Sequence, residues 1–422
     1  MKTYAVFVIL AIAFGFISYN ANPKGYDFDI DYYSVIHRPP QSPPIQLKDL
    51  TSDCKATSQY RHDAQRTGVA PDSTRPQVEA KMIKHLKPLN VDIHTASKST
   101  PTIDDTGVYV GSDAGWFFKY DHDGNLLWKF SVPGSKNGIH GSAALDQKKV
   151  YIGAYNGFMY ALDKNNGSVV WANPVGDYIG ASPLLANGSL YISAETSHPD
   201  GLLAKLDCNS GRTLWVSDWL EGHSHSSPAY DPETKRILVG ANSGKFFAFE
   251  EKDGSLAWSA QLDGQNKGTP LIWQGKVYFG SWDKSYYAYD IKTGKQIWEQ
   301  FMGGRIQTSL TLVPGEGIGI TNTKVGQIIG IGIDLESGAI LWRLKHGDRN
   351  NQYSILVTKK SKEETYLAWS RCKEYQLCVL NAKTGALLKN TQLPGSYSGV
   401  PFAFNDRVYI SLDRDDGFVI FQ

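Results

Sequence analysis

Six tryptophans recur at nearly constant spacing. Trp128, Trp171, Trp215, Trp258, Trp298 and Trp342 are separated by 43, 44, 43, 40 and 44 residues, and each stands four residues after a glycine. A period of this length calls for a repeat architecture, in which units too small to hold a core alone bury their apolar faces against their neighbours. The six indoles are therefore assigned to the fold, as docking residues between units. The chemistry of the chain has to be sought elsewhere.

The rest of each unit is legible from the same alignment. A small-residue start, often closed by proline, opens it: Ser99-Thr100-Pro101, Ser182-Pro183, Ser227-Pro228, Thr269-Pro270. An apolar pair ending in a small residue follows, as in Tyr109-Val110-Gly111 or Tyr278-Phe279-Gly280, then an alternating run such as Tyr286-Tyr287-Ala288-Tyr289-Asp290, and finally the turn and the tryptophan. Short runs rich in Val, Ile, Tyr and Phe with alternation suit half-buried strands, and no segment after residue 50 has a helical period. The turn is Asp-x-x-x-Gly or close to it, with Gly supplying a positive φ and Asp bonding the turn backbone. Four short strands per repeat, here called a to d, describe a β-propeller blade.

Counting starts of strand a at Pro101, Ala143, Pro183, Pro228, Pro270, Leu310, Ile355 and Pro401 gives eight blades. The expected fold is thus all-β, an eight-bladed β-propeller of four-stranded blades. The last blade runs out after three strands, and an unpaired edge invites aggregation. The otherwise unassigned segment Glu79-Ala80-Lys81-Met82-Ile83-Lys84 is expected to supply the missing strand, so that an N-terminal strand completes the last blade.

These blades resemble the PQQ-type propeller repeat, and Tyr60-Arg61-His62-Asp63-Ala64-Gln65-Arg66-Thr67-Gly68 looks like the lead-in that often precedes it. That family contains quinoprotein dehydrogenases, the lipoprotein of the outer-membrane β-barrel assembly machine (BamB), and many binding or sensor domains. The BamB-like, non-enzymatic branch is the favoured resemblance. The dehydrogenase branch implies pyrroloquinoline quinone held with calcium, a disulfide between two adjacent cysteines, and an aspartate base. No two cysteines of this chain are adjacent. No cofactor and no metal are expected, with quinone and calcium as the alternative.

Met1-Lys2-Thr3 precedes an apolar run, residues 4–19, which reads as the core of a signal peptide or a signal anchor. The chain divides into a signal or anchor (1–21), a Pro-rich tether (22–57) and the propeller (58–422), and an extracytoplasmic location follows: periplasmic, cell-surface or secreted. Net charge is +1 from 43 basic and 42 acidic residues. That balance argues against nucleic acid as a partner, and a monomer is expected. Four cysteines in an exported chain suggest disulfides. Cys372 and Cys378 lie symmetrically about Tyr375 and are the candidate pair, against two separate thiols, leaving Cys54 with Cys208.

The c–d turns on one face of the disc are fixed by the repeat, whereas the d–a and b–c loops of the opposite face vary. Three residues before each strand-a start lie Lys98, His140, Gly180, His225, Lys267, Gln307, Gln352 and Ser398, with His223, Gln265, Arg305 and Asn350 two residues earlier in four repeats. These side chains are expected to ring one mouth of the central channel, polar and mildly basic, suited to an anionic ligand or an acidic partner loop. A water-filled channel is the bland alternative. His223 and His225 alternate onto one side, yet no carboxylate repeats at matching positions, so no metal is assigned. The b–c loops add Asp113, Trp116, Tyr155, Glu195, Lys245, Trp282 and Arg371, among which exposed Trp and Arg are the residue types of interface hot spots. The ligand or partner face is therefore assigned to Lys98, His140, His223, His225, Lys267, Arg305, Trp282 and Arg371. No catalytic residue is assigned. The competing expectations are a quinone-dependent oxidoreductase and a membrane-tethered ligand-sensing ectodomain.

Overall fold

The computed structural model describes residues 54–86, 99–134, 138–196, 200–323, 327–346, 354–360, 365–373, 375–397, 399–412 and 417–422. The apolar run 4–19, Lys98, and all but the end of the tether lie outside them. Eight sheets are arranged as blades, each strand antiparallel to the next. Blade one comprises Thr102–Asp104, Gly107–Gly111, Trp116–Tyr120 and Leu126–Ser131. The expected strand-a starts hold, each strand beginning one residue after the assigned position. Among the described residues no helix is long and apolar enough to cross a membrane.

The clasp is present, shifted by a few residues: Met82–Leu86 pairs with Phe418–Phe421, with Met82 opposite Phe421 and Leu86 opposite Phe418. Strand d of blade eight thus comes from before blade one, and the ring closes without a free seam.

Each repeat tryptophan meets the turn of the next blade. A Cβ on Gly167, Gly211, Gly254, Gly294, Gly338 or Gly385 would collide with Trp128, Trp171, Trp215, Trp258, Trp298 or Trp342, respectively. Glycine is required there twice, for a φ near 70–77° and for contact with an indole. Trp128 Nε1 donates to Lys164 O (2.9 Å), Trp171 to Cys208 O (3.1 Å), Trp215 to Glu251 O (3.0 Å), Trp258 to Ile291 O (2.7 Å) and Trp298 to Leu335 O (3.1 Å). Burial is less uniform than the period implies, because Trp258 and Trp342 are only half-buried and Trp342 Nε1 has no acceptor among the described residues. In blade seven Lys389 replaces the indole, and its Nζ reaches Ala80 O at 3.4 Å and Glu79 Oε2 at 3.2 Å.

The small residue before each strand a has a second role. Thr100 N donates to Ser142 Oγ, Ser142 N to Ser182 Oγ, Ser182 N to Ser227 Oγ, Ser309 N to Ser354 Oγ and Val400 N to Thr100 Oγ1, all at 2.9–3.0 Å. A hydroxyl of one blade thereby satisfies a backbone donor of its neighbour, which explains the recurrence of Ser and Thr at the channel.

The lead-in plugs the channel. Innermost strands present an unpaired edge to the axis, and residues 57–75 take up its hydrogen bonds blade by blade. Ser58–Gln59 pairs with Ala144–Leu145. Leu185 N donates to Gln59 Oε1, Tyr230 N to Ala64 O, Ile272 N to Gln65 O, Leu312 N to Thr67 O and Val357 N to Gly68 O. Arg66, fully buried, bridges adjacent blades three and four with Nε on Pro228 O (3.0 Å) and Nη2 on Pro183 O (3.1 Å), while Nη1 donates to Tyr60 O (2.6 Å). Burial lowers its pKa to about 10. Disulfides join Cys54 to Cys208 and Cys372 to Cys378. The first fastens the start of the plug to the c–d turn of blade three.

Candidate functional site

The plug closes the channel toward the turn face and leaves a cavity of about 190 Å³ at the mouth. Tyr60 forms part of its floor, with the hydroxyls of Thr100, Ser142, Ser182 and Ser227; His140, His225, Lys267 and Gln307 stand around it as the repeat alignment expects. Lys98 lies outside the described residues.

Two sets of loops interleave to build this mouth. One carries the residues before strand a. The other carries the residue two positions after the small residue that closes the apolar pair of strand b: Asp113, Tyr155, Asn242 and Trp282 just past the strand, and Glu195 as the last residue of Ser189–Glu195. His140 Nε2 lies 3.0 Å from Asp113 Oδ1, and its ring packs on Tyr155 with centroids 4.0 Å apart. Glu195 is buried and takes both blade-four imidazoles, Oε2 lying 3.2 Å from His223 Nδ1 and Oε1 3.1 Å from His225 Nδ1. Oε1 has no well-aligned hydrogen bond among the described residues, so that contact is an ion-pair distance only. Burial pushes the Tyr155 hydroxyl up, and the nearby Glu195 and Asp113 charges push it further.

His140 and His225 line the cavity and His223 does not. Asp113 and Glu195, expected from the b–c loops as members of the same face, pair with these imidazoles, a pairing that the repeat alignment did not foresee. Their shared offset of two residues from Gly111 and Ser193, the small residues that close the apolar pair, was the available signal. Among the described residues no group of three or more His, Cys, Asp or Glu is placed to hold a metal ion.

Around blade five the mouth becomes cationic. Two cations lie over Trp282, with Lys267 Nζ 4.4 Å and Arg305 Cζ 5.0 Å from its ring centroid. Burial lowers the Lys267 pKa, and the Glu195 charge opposes that shift. Arg305 is exposed. Arg371, by contrast, turns inward: it is buried, and its Nη1 donates to Tyr397 O at 3.0 Å. Expected in a b–c loop, Arg371 instead lies within strand b of blade seven, Tyr366–Lys373, and braces the loop after strand d of its own blade, which removes it from the accessible surface.

The arrangement implied for quinone and calcium does not fit these residues. The cysteines are paired over sequence separations of 154 and 6, neither pair lines the cavity, and no Asp or Glu is among the residues that line it.

The family model described as "Outer membrane protein assembly factor BamB" matches residues 89–198, 119–230 and 199–352. The BamB of Shewanella oneidensis is 22% identical over 280 residues, which cover 63% of this chain and 66% of that protein, just under two thirds of the relative's length. Among solved structures, BamB from Moraxella catarrhalis superimposes with a TM-score of 0.62 at 18% identity, covering 81% of this chain and 97% of that one. A europium-containing methanol dehydrogenase gives 0.71 at 14% identity, covering 85% and 91%. At such identities the structural likenesses establish the propeller and nothing finer. The family match spans more than half of the chain, which therefore belongs to the PQQ-type propeller family described as outer membrane protein assembly factor BamB.

Proposed function

We propose that the protein is an exported, non-enzymatic binding or assembly module that docks its partner on the d–a and b–c loop face. One observation carries this reading: the Lys267–Trp282–Arg305 cluster, in which two cations lie over one indole and, among the described residues, neither has a carboxylate within ion-pair distance. A desolvatable Trp flanked by cations suits an acidic loop better than solvent alone. The opposite face is taken up by the repeat turns and by the entry of the chain at Cys54. The BamB relatives support an assembly role by their name.

The test is a Lys98→Ala, Lys267→Ala, Arg305→Ala variant against poly-L-glutamate as the acidic probe. It is expected to keep the parent's melting temperature, bind more weakly, and show a flatter dependence on salt. Unchanged binding would remove the mouth from consideration. The competing reading, a quinone-dependent oxidoreductase, rests on the fold it shares with the dehydrogenases. A visible absorbance band and quinone-dependent dye reduction, on adding pyrroloquinoline quinone and calcium to purified protein, would favour it.

A further inference from the structure

Beneath the docking face, the hydroxyl ring has unspent donors. Ser142, Ser182, Ser227, Ser354 and Thr100 each accept a backbone N–H from a neighbouring blade, and all five line the cavity. A hydroxyl has one proton to donate besides its acceptor capacity. Among the described residues none of these five protons has an acceptor, so each is available to the cavity. Because the accepted N–H fixes each oxygen in place, the donors are preorganised on the floor and cost little to order.

The wall above carries a second, independent demand. Lys267 lines the same cavity, and among the described residues its ammonium has an indole face but no hydrogen-bond acceptor. A partly buried ammonium with three N–H donors calls for an anionic acceptor or water. His140, His225 and Gln307 complete a polar lining that includes no Asp or Glu. The nearest opposing charges, Glu195 and Asp113, are each held within 3.2 Å of an imidazole nitrogen, and the Glu195 charge is also felt by Lys267.

We infer that the funnel binds a compact oxyanion, a phosphate or small carboxylate, with the Ser142, Ser182 and Ser227 hydroxyls beneath it and the Lys267 ammonium beside it. Charge-assisted hydrogen bonds from fixed O–H donors are the strong kind. At about 190 Å³ the cavity exceeds the ~150 Å³ that admits benzene, which suits a dicarboxylate or a phosphate with its waters. The inference shares its face with the proposed partner site but does not depend on a protein partner.

Titration calorimetry on the purified full chain at constant ionic strength tests it, with inorganic phosphate, succinate and glucose as separate probes. Saturable binding of phosphate or succinate, but not glucose, is expected. Lys267→Met is expected to weaken it about tenfold or more, and Arg305→Ala, at the rim, less than about threefold. Since Ser182→Ala strands the Ser142 N–H, Ser182→Thr serves as the partner variant: restored binding with Thr, together with loss in Ala at an unchanged melting temperature, marks the hydroxyl as a ligand. An acidic tetrapeptide that displaces phosphate would mark the natural source as a partner's side chain, and one that does not would mark a free anion; either keeps the site. No binding of phosphate and succinate by the parent, equal binding of glucose, or an unaltered affinity in Lys267→Met would overturn it. Failure here leaves the poly-L-glutamate result at the rim untouched.

Discussion

The two ends of the channel are built by the same eight inner strands and end in opposite states. Toward the turn face the inner strands' backbone groups are largely taken up by the chain's own residues 57–75, and each nitrogen of the Arg66 guanidinium donates to a carbonyl, with Arg61 Nη1 and His62 Nε2 the plug atoms left without a partner among the described residues. Toward the mouth the strands are capped by hydroxyls with protons to spare and by cations with only an indole for company. Saturated polar groups make structure, and unsaturated ones are where binding energy is left to be gained. That contrast separates the fold from its function.

Removing the plug is the harshest way to test the contrast. Deleting residues 1–90 strips the inner strands of their partners and blade eight of its outer strand, so aggregation or loss of the cooperative thermal transition is expected, whereas deleting 1–50 leaves the melting temperature unchanged. Equal stability of the two truncations would mean that neither plug nor clasp matters.

The seams come next. Trp171→Ala removes a buried indole and its hydrogen bond to Cys208 O and is expected to cost about 3–5 kcal/mol by denaturant unfolding. Trp342→Ala is expected to cost about 1 kcal/mol less, the net value of one hydrogen bond, since its Nε1 has no acceptor among the described residues. Amide exchange should be fastest along the seams flanking blade seven, where Trp342 is half-buried and Lys389 replaces the indole. Best protection there would reverse the ranking.

A smaller effect distinguishes the plug by pH. Burial holds His62 neutral, its pKa lowered to about 3 beside Arg61, with its ring 4.1 Å from Phe402. The unfolded imidazole, with a pKa near ~6.5, binds a proton that the folded one refuses, so stability falls as pH drops from about 6.5 toward 3. One proton bounds the slope at about 1.4 kcal/mol per pH unit. In His62→Phe that share of the slope should vanish in urea titrations at pH 4 and 6; an unchanged slope would place the acid sensitivity elsewhere. Smallest of all, Trp282→Ala at the half-exposed mouth should alter stability by about 1 kcal/mol or less.

The propeller was legible because its constraints repeat: a Gly–Trp contact made six times leaves six copies of one signal. The clasp was legible from arithmetic, one blade lacking a strand and one segment lacking a blade. The plug was not: Arg61, His62 and Arg66 were legible only as part of a lead-in to the propeller, and nothing in a single unrepeated segment announces that its arginines will meet inner-strand carbonyls. The mouth was half legible. His140, His225 and Lys267 follow from strand phase, whereas the Glu195 pairing and the inward turn of Arg371 depend on how neighbouring loops pack, which periodicity does not encode.

Site-specific photo-crosslinking in the native host addresses the central claim most directly. A photoreactive residue placed at Arg305 or Gln307 on the mouth is predicted to capture a specific protein partner, and one placed at Asn209 or Lys292 on the turn face is predicted to capture none. Crosslinks confined to positions 209 and 292 would contradict the account, leaving the propeller intact and its working face reversed.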